Sequence, residues 1–71
     1  MNKAEAVLLL YDQFKDNHYL SKADYLSLTG IKDLTFRRYI AELRCYLMEW
    51  RPYEEIVYKK NENRYYLVQN K

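Results

Sequence analysis

The chain has one cysteine, one glycine and one proline in 71 residues. A single cysteine excludes a disulfide framework within the chain and leaves no Cys pair to hold zinc. One glycine excludes the glycine-rich loops that cradle nucleotide phosphates, and it argues against a strand-rich fold built on tight turns. His18 is the only histidine, so no second imidazole completes a metal site and no His–Cys set has an orienting third group. No metal, other cofactor or enzyme chemistry is expected. The longest apolar run, Ala6 to Tyr11, is far shorter than the roughly 20 residues a bilayer span needs. No basic-then-apolar leader with a small-residue cleavage site is visible, so the chain reads as cytoplasmic, with neither a membrane nor a small-molecule substrate among its expected partners.

What is there is a hydrophobic content of 49% and a charged content of 31%, the balance of one small globular domain. Folding at this size removes about 60% of the surface an unfolded chain exposes, so nearly every apolar side chain is expected in one core. The net charge of +2 is weak, and its distribution matters more than its size. Residues 1–30 carry −1, residues 31–52 carry +2 with four of the five arginines, and residues 53–71 carry +1.

Val7, Leu10, Tyr11 and Phe14 recur at helical spacing and predict a first helix over about 3–16, closed near Asn17. His18-Tyr19-Leu20 then carries the chain across. Ser21-Lys22-Ala23-Asp24 has the layout of a capping box, with Asp in place of Glu or Gln, and starts a second helix over about 22–29. Ala23 and Leu26, with Tyr25 beside them, are expected to face inward, and Gly30 stands where a residue of positive φ ends the helix. A third helix is expected over about 33–51, stopped by Pro52. Phe36, Ile40, Leu43 and Leu47 fall on one stripe of it at 100° per residue. Ile56-Val57-Tyr58 and Tyr65-Tyr66-Leu67-Val68, separated by a polar segment, predict a hairpin over about 55–68. The whole reads as one α+β domain over 1–71.

A helix ended by Gly30, a short turn and a longer helix with arginines near its start describe a helix-turn-helix, with the hairpin as its wing. The sequence resembles the winged helix-turn-helix of DeoR-like regulators, especially the N-terminal domain of bacterial WYL-domain transcription regulators. The likeness is carried by Leu20-Ser21-Lys22, Thr29-Gly30-Ile31, Thr35-Phe36-Arg37-Arg38-Tyr39-Ile40, Leu43-Arg44, and Ile56-Val57-Tyr58 with Tyr65-Tyr66-Leu67. The resemblance implies a fold of three helices followed by a two-stranded β-hairpin wing, with the third helix in the major groove of double-stranded DNA. It also implies transcription regulation, as a dimer or as part of a longer regulator. Arg38 lies about 170° from the centre of the apolar stripe, free to meet phosphate or guanine. Lys32, Thr35, Arg37 and Arg44 are expected around it, and Lys59, Lys60 and Arg64 on the wing to meet backbone phosphate. The chain departs from the family pattern where a Ser or Thr usually stands just before the helix: it has Lys32 followed by Asp33, and Asp33 is expected to shift into the cap role.

Leu34, Ala41 and Cys45 make the same outward face partly apolar, which suits a protein partner as well as a thymine methyl. The second expectation is therefore a protein-binding winged helix, such as a phage anti-repressor or CRISPR inhibitor, that occupies a partner's surface. Most of the nine tyrosines, Tyr39 and Tyr46 among them, are expected as scaffold, and Trp50 is expected to pack under the hairpin.

Overall fold

Asn2 opens the first helix by accepting the Glu5 amide hydrogen on its side-chain Oδ1 at 2.8 Å, and α1 then runs Lys3–Asn17. The turn that ends it is one residue later than expected. His18, not Asn17, takes the left-handed conformation (φ 66°), and its amide donates to the Phe14 carbonyl at 2.8 Å. Histidine is one of the few side chains enriched in that region. The computed structural model describes residues 2–69.

Tyr19–Ser21 then form a short strand, β1, where the sequence carries no strand signal of its own. Ser21 also caps α2 (Lys22–Thr29), its Oγ accepting from the Asp24 amide at 3.4 Å. Gly30 closes α2 with φ 73°, its amide donating to the Leu26 carbonyl at 2.8 Å. α3 spans Asp33–Trp50, one residue short of the expected end. Lys32 occupies its N-cap position without a side-chain cap bond, so Asp33 is the first helical residue and not the cap. Its carboxylate is engaged instead by Lys22 Nζ and by Arg37 Nε.

β2 (Glu54–Lys59) and β3 (Arg64–Gln69) form the expected hairpin. The expected two-stranded wing is, however, part of a three-stranded antiparallel sheet of order β1-β3-β2. Tyr19, Leu20 and Ser21 pair with Tyr66, Tyr65 and Arg64, while Val57 and Tyr58 pair with Tyr66 and Tyr65 on the other side. A bare two-stranded ribbon is marginal in water, and the third strand gives β3 partners along both edges. The architecture is α+β, with the helices packed on the sheet face that carries Leu20, Ile56, Tyr65 and Leu67.

The four stripe residues of α3 are all buried and meet Leu10 and Phe14 of α1, Leu20, Tyr25 and Ile56. Each burial of this kind contributes about 1.5–3 kcal/mol. Tyr25 rather than Ala23 carries α2 into the core, and its hydroxyl, which donates to the Ala6 carbonyl at 2.6 Å, needs no water there. Two expectations fail outright. Trp50 is 69% exposed and does not lie under the hairpin, and Tyr46 is exposed as well. The apolar side chains are not all consumed by the core either: Leu8, Leu28, Leu34 and Met48 stand in solvent.

Among the described residues Glu54 is the one buried charged side chain, 3% exposed. It accepts from Tyr11 Oη at 2.8 Å and Lys15 Nζ at 2.9 Å on α1, and from Arg51 Nε at 3.1 Å at the end of α3. Burial alone would raise its carboxyl, but the hydrogen bonds from Lys15, Arg51 and Tyr11 outweigh burial and hold it at about 2. The hub fixes the first residue of β2 against both long helices, and so sets where the hairpin leaves the body. Among the described residues no helix is long and apolar enough to cross a membrane.

Candidate functional site

The hairpin and α3 border a groove of about 480 Å³, lined by Lys22, Arg37, Ile40, Ala41, Arg44, Tyr58, Asn63 and Tyr65. Helical geometry explains the two arginines, since residues seven apart stand two turns above one another on one face. Tyr58 reaches the opposite wall because it alternates with Val57 along β2, and its ring packs on Tyr65 with centroids 4.7 Å apart. Its hydroxyl donates to Asn63 Oδ1 at 2.8 Å. Asn63 can serve here because it holds the left-handed turn position (φ 55°) that asparagine tolerates.

The charge of this groove is partly spent within the protein. Asp33 takes Lys22 on Oδ1 and Arg37 on Oδ2, the latter at 3.1 Å, and the Lys22 ammonium beside it holds the Asp33 carboxyl below its ordinary value. Arg44 makes no ion pair among the described residues, so its guanidinium is available to an outside anion. Exposed pairs such as Arg37–Asp33 are worth little and exchange readily for a phosphate.

Arg38, the central expectation from the sequence, is exposed on the other flank of α3. It borders a shallower hollow of about 500 Å³ with Thr35, Tyr39, Ala41 and Glu42, where Lys3 Nζ meets Glu42 at 2.7 Å. Arg38 itself has no carboxylate partner among the described residues. Ala41 borders both hollows and marks the ridge between them. Leu34 (61% exposed), Cys45 and Met48 (77% exposed) lie along the same outward ridge.

The basic residues expected on the hairpin are not gathered into the groove. Lys59 lies on the sheet face turned away from the helices, its Nζ 4.9 Å from the centre of the Tyr66 ring, and Arg64 sits 4.5 Å over Tyr19 on that same face. Lys60 is exposed in the turn between the strands, and Lys32 is exposed at the start of α3. The structure thus unites Arg37 and Arg44, keeps Arg38 and Thr35 together on the other flank, and separates both sets from Lys59 and Arg64. Lys22, Tyr58 and Asn63 were not expected as site residues. A helical wheel shows which residues face away from the core but not which flank looks at a hairpin twenty residues further on.

Among the described residues no group of three or more His, Cys, Asp and Glu side chains is placed to hold a metal ion. Comparison of the chain with protein families, with curated proteins and with solved structures finds no match.

Proposed function

We propose that the chain is a winged helix-turn-helix domain that binds double-stranded DNA as a transcription regulator or as a module of one, with α3 in the major groove and the hairpin as the wing. The observation that carries this reading is the basic groove between α3 and the hairpin, in which Lys22, Arg37 and Arg44 face Tyr58 and Asn63. Long cationic side chains in an open groove fit a phosphate backbone, which sets position, and the α3 ridge beside it is left to read base edges. Arg38 on the second flank supplies a bidentate donor for guanine, and Leu34 and Ala41 an apolar contact for a thymine methyl. The resemblance of residues 20–22, 29–31, 35–44 and 56–67 to DeoR-like and WYL-regulator N-terminal domains supports the same reading.

The test is selection from a random duplex library at physiological salt, beside Arg38→Ala and Arg44→Ala. A discrete motif that is blurred by Arg38→Ala, and weakened across all sequences by Arg44→Ala, is the expected result. Retention without any motif, from a folded sample, would overturn it.

One observation favours a second reading, a domain that binds protein. Leu34 and Met48 are the most exposed aliphatic residues of α3 and share a ridge with Ala41 and Cys45, and an exposed apolar ridge rimmed by arginines is the composition of an interface core. Under that reading Leu34→Ala weakens partner binding more than Arg44→Ala does, and the binding is nearly indifferent to salt.

A further inference from the structure

The sheet has one long open edge. β2 pairs only with β3, and the direction of its unused peptide groups follows from the register. The Leu67 amide donates to the His18 carbonyl at 3.2 Å, on the β1 side. The peptide groups of Leu67 and Tyr65 therefore face β1, and those of Tyr66, Arg64 and Val68 face β2. Their partners Val57, Lys59 and Glu55 consequently spend their bonds on β3. Ile56 and Tyr58 point their N–H and C=O groups to the open side, where nothing among the described residues takes them. Glu54, in the same phase, has its amide turned to the Arg51 carbonyl at 2.9 Å.

The residues of this edge are complementary to themselves. β2 reads Glu-Glu-Ile-Val-Tyr-Lys, acidic where it begins and basic where it ends. Antiparallel pairing about a two-fold axis at Val57 sets Ile56 opposite the partner's Tyr58 as a hydrogen-bonded pair, and the symmetry repeats it. It also sets Glu55 opposite the partner's Lys59, on the outer face, twice. Shifting the register by two residues keeps the hydrogen-bond phase but sets Glu55 or Lys59 opposite Val57, and a shift by one turns the wrong faces together. Charge therefore selects one register out of those the backbone permits.

The helical side of the edge is prepared in the same place. A hollow of about 200 Å³ between α3 and β2 is lined by Arg44, Leu47, Met48, Glu54, Glu55 and Ile56. In the central register the partner's Tyr58 arrives on the same sheet face as Ile56, next to this hollow and to the exposed Met48. Native edges are usually blunted by like charges that repel a second copy; this one carries opposite charges in an order that attracts it.

We infer that two copies of this chain associate through β2, antiparallel about Val57, into a continuous six-stranded sheet. The inference stands apart from the DNA reading and needs no nucleic acid for its test. The experiment uses the full chain with Cys45→Ser as background and three single-cysteine variants, Glu55→Cys, Val57→Cys and Lys59→Cys, oxidised with diamide, alongside sedimentation equilibrium of the parent chain. Only residue 57 faces its own copy, at the close Cα spacing of a non-hydrogen-bonded pair, so Val57→Cys is expected to form covalent dimer at least about tenfold faster than the other two. In sedimentation Lys59→Glu is expected to weaken the dimer at least about tenfold, and adding Glu55→Lys to restore it. Equal cross-linking at all three positions, a parent chain that stays monomeric up to its solubility limit, or a Lys59→Glu dimer as strong as the parent would each overturn the inference. Circular dichroism of every variant separates loss of association from loss of fold.

Discussion

Tyr11 donates its hydroxyl hydrogen to Glu54 at 2.8 Å across 43 residues of chain. This single bond joins the middle of α1 to the first residue of β2, and Lys15 and Arg51 close on the same carboxylate from either side. A buried carboxylate with these donors is stable only while it is charged.

Acid should therefore loosen the fold through Glu54. Its folded value is about 2 against an ordinary 4.5, so the stabilisation is complete above pH ~4.5 and is lost as pH falls toward about 2. The linked contribution is about 3 kcal/mol. Urea unfolding followed from pH 6 to pH 2.5 should show the midpoint falling through that window. Glu54→Gln should lower stability at pH 6 by about 2–4 kcal/mol, because Lys15 and Arg51 then face a neutral group, and should flatten the acid dependence. An unchanged slope in Glu54→Gln would show that other carboxylates govern acid unfolding.

Phe36 sits fully buried between Tyr25 and Tyr65, ring centroids 5.6 and 5.5 Å away. Phe36→Ala should cost about 3–5 kcal/mol, a large share of what a domain of this size holds, and leave much of the protein unfolded at 37 °C. Phe36→Leu should cost under about 2 kcal/mol, since volume is largely kept. Thermal unfolding by circular dichroism measures both.

Gly30 has φ +73°, and a methyl group built on it would meet nothing within 4 Å. Gly30→Ala should then cost only the backbone term, about 1–2 kcal/mol, and Gly30→Asn less. A loss well beyond that in Gly30→Ala would mean that the turn between α2 and α3 is more crowded than the geometry shows.

Asp33 neutralises Lys22 and Arg37 at the mouth of the groove. Under the proposed DNA function, Asp33→Asn should tighten duplex binding by about threefold or more near 150 mM salt and steepen the salt dependence by roughly one ion. Fluorescence anisotropy against a labelled duplex at several salt concentrations reads both. Weaker binding in a folded Asp33→Asn variant would show that the carboxylate orders the arginine and does not restrain it.

The local parts of this fold were legible from the residues alone. The α3 stripe, the Ser21 cap, the Gly30 turn and the hairpin each depend on side chains within a few positions of one another, where periodicity and capping chemistry act. β1 was not legible, because a three-residue strand has too few positions to show alternation and its partner lies more than forty residues away. Glu54 was missed as a hub for the same reason, since none of the donors on α1 is near it in the chain. Trp50 was misplaced because the wheel sets it at the margin of the stripe, where burial depends on what else arrives. For the candidate site, the exposure of Arg37, Arg38 and Arg44 was legible and their division between two flanks was not.

The sheet order places the last strand of the sequence in the middle. During synthesis β1 emerges early and has no neighbour to bond, and β2 follows with its inner edge equally empty, until residues 64–69 leave the ribosome. Neither pairing of the sheet is possible before β3 is present. Helices can form on the nascent chain as they appear, but the register that joins the two ends waits for this final segment. A ribosome stalled before residue 64 is exposed should hold a chain that is helical, protease-sensitive and without a sheet.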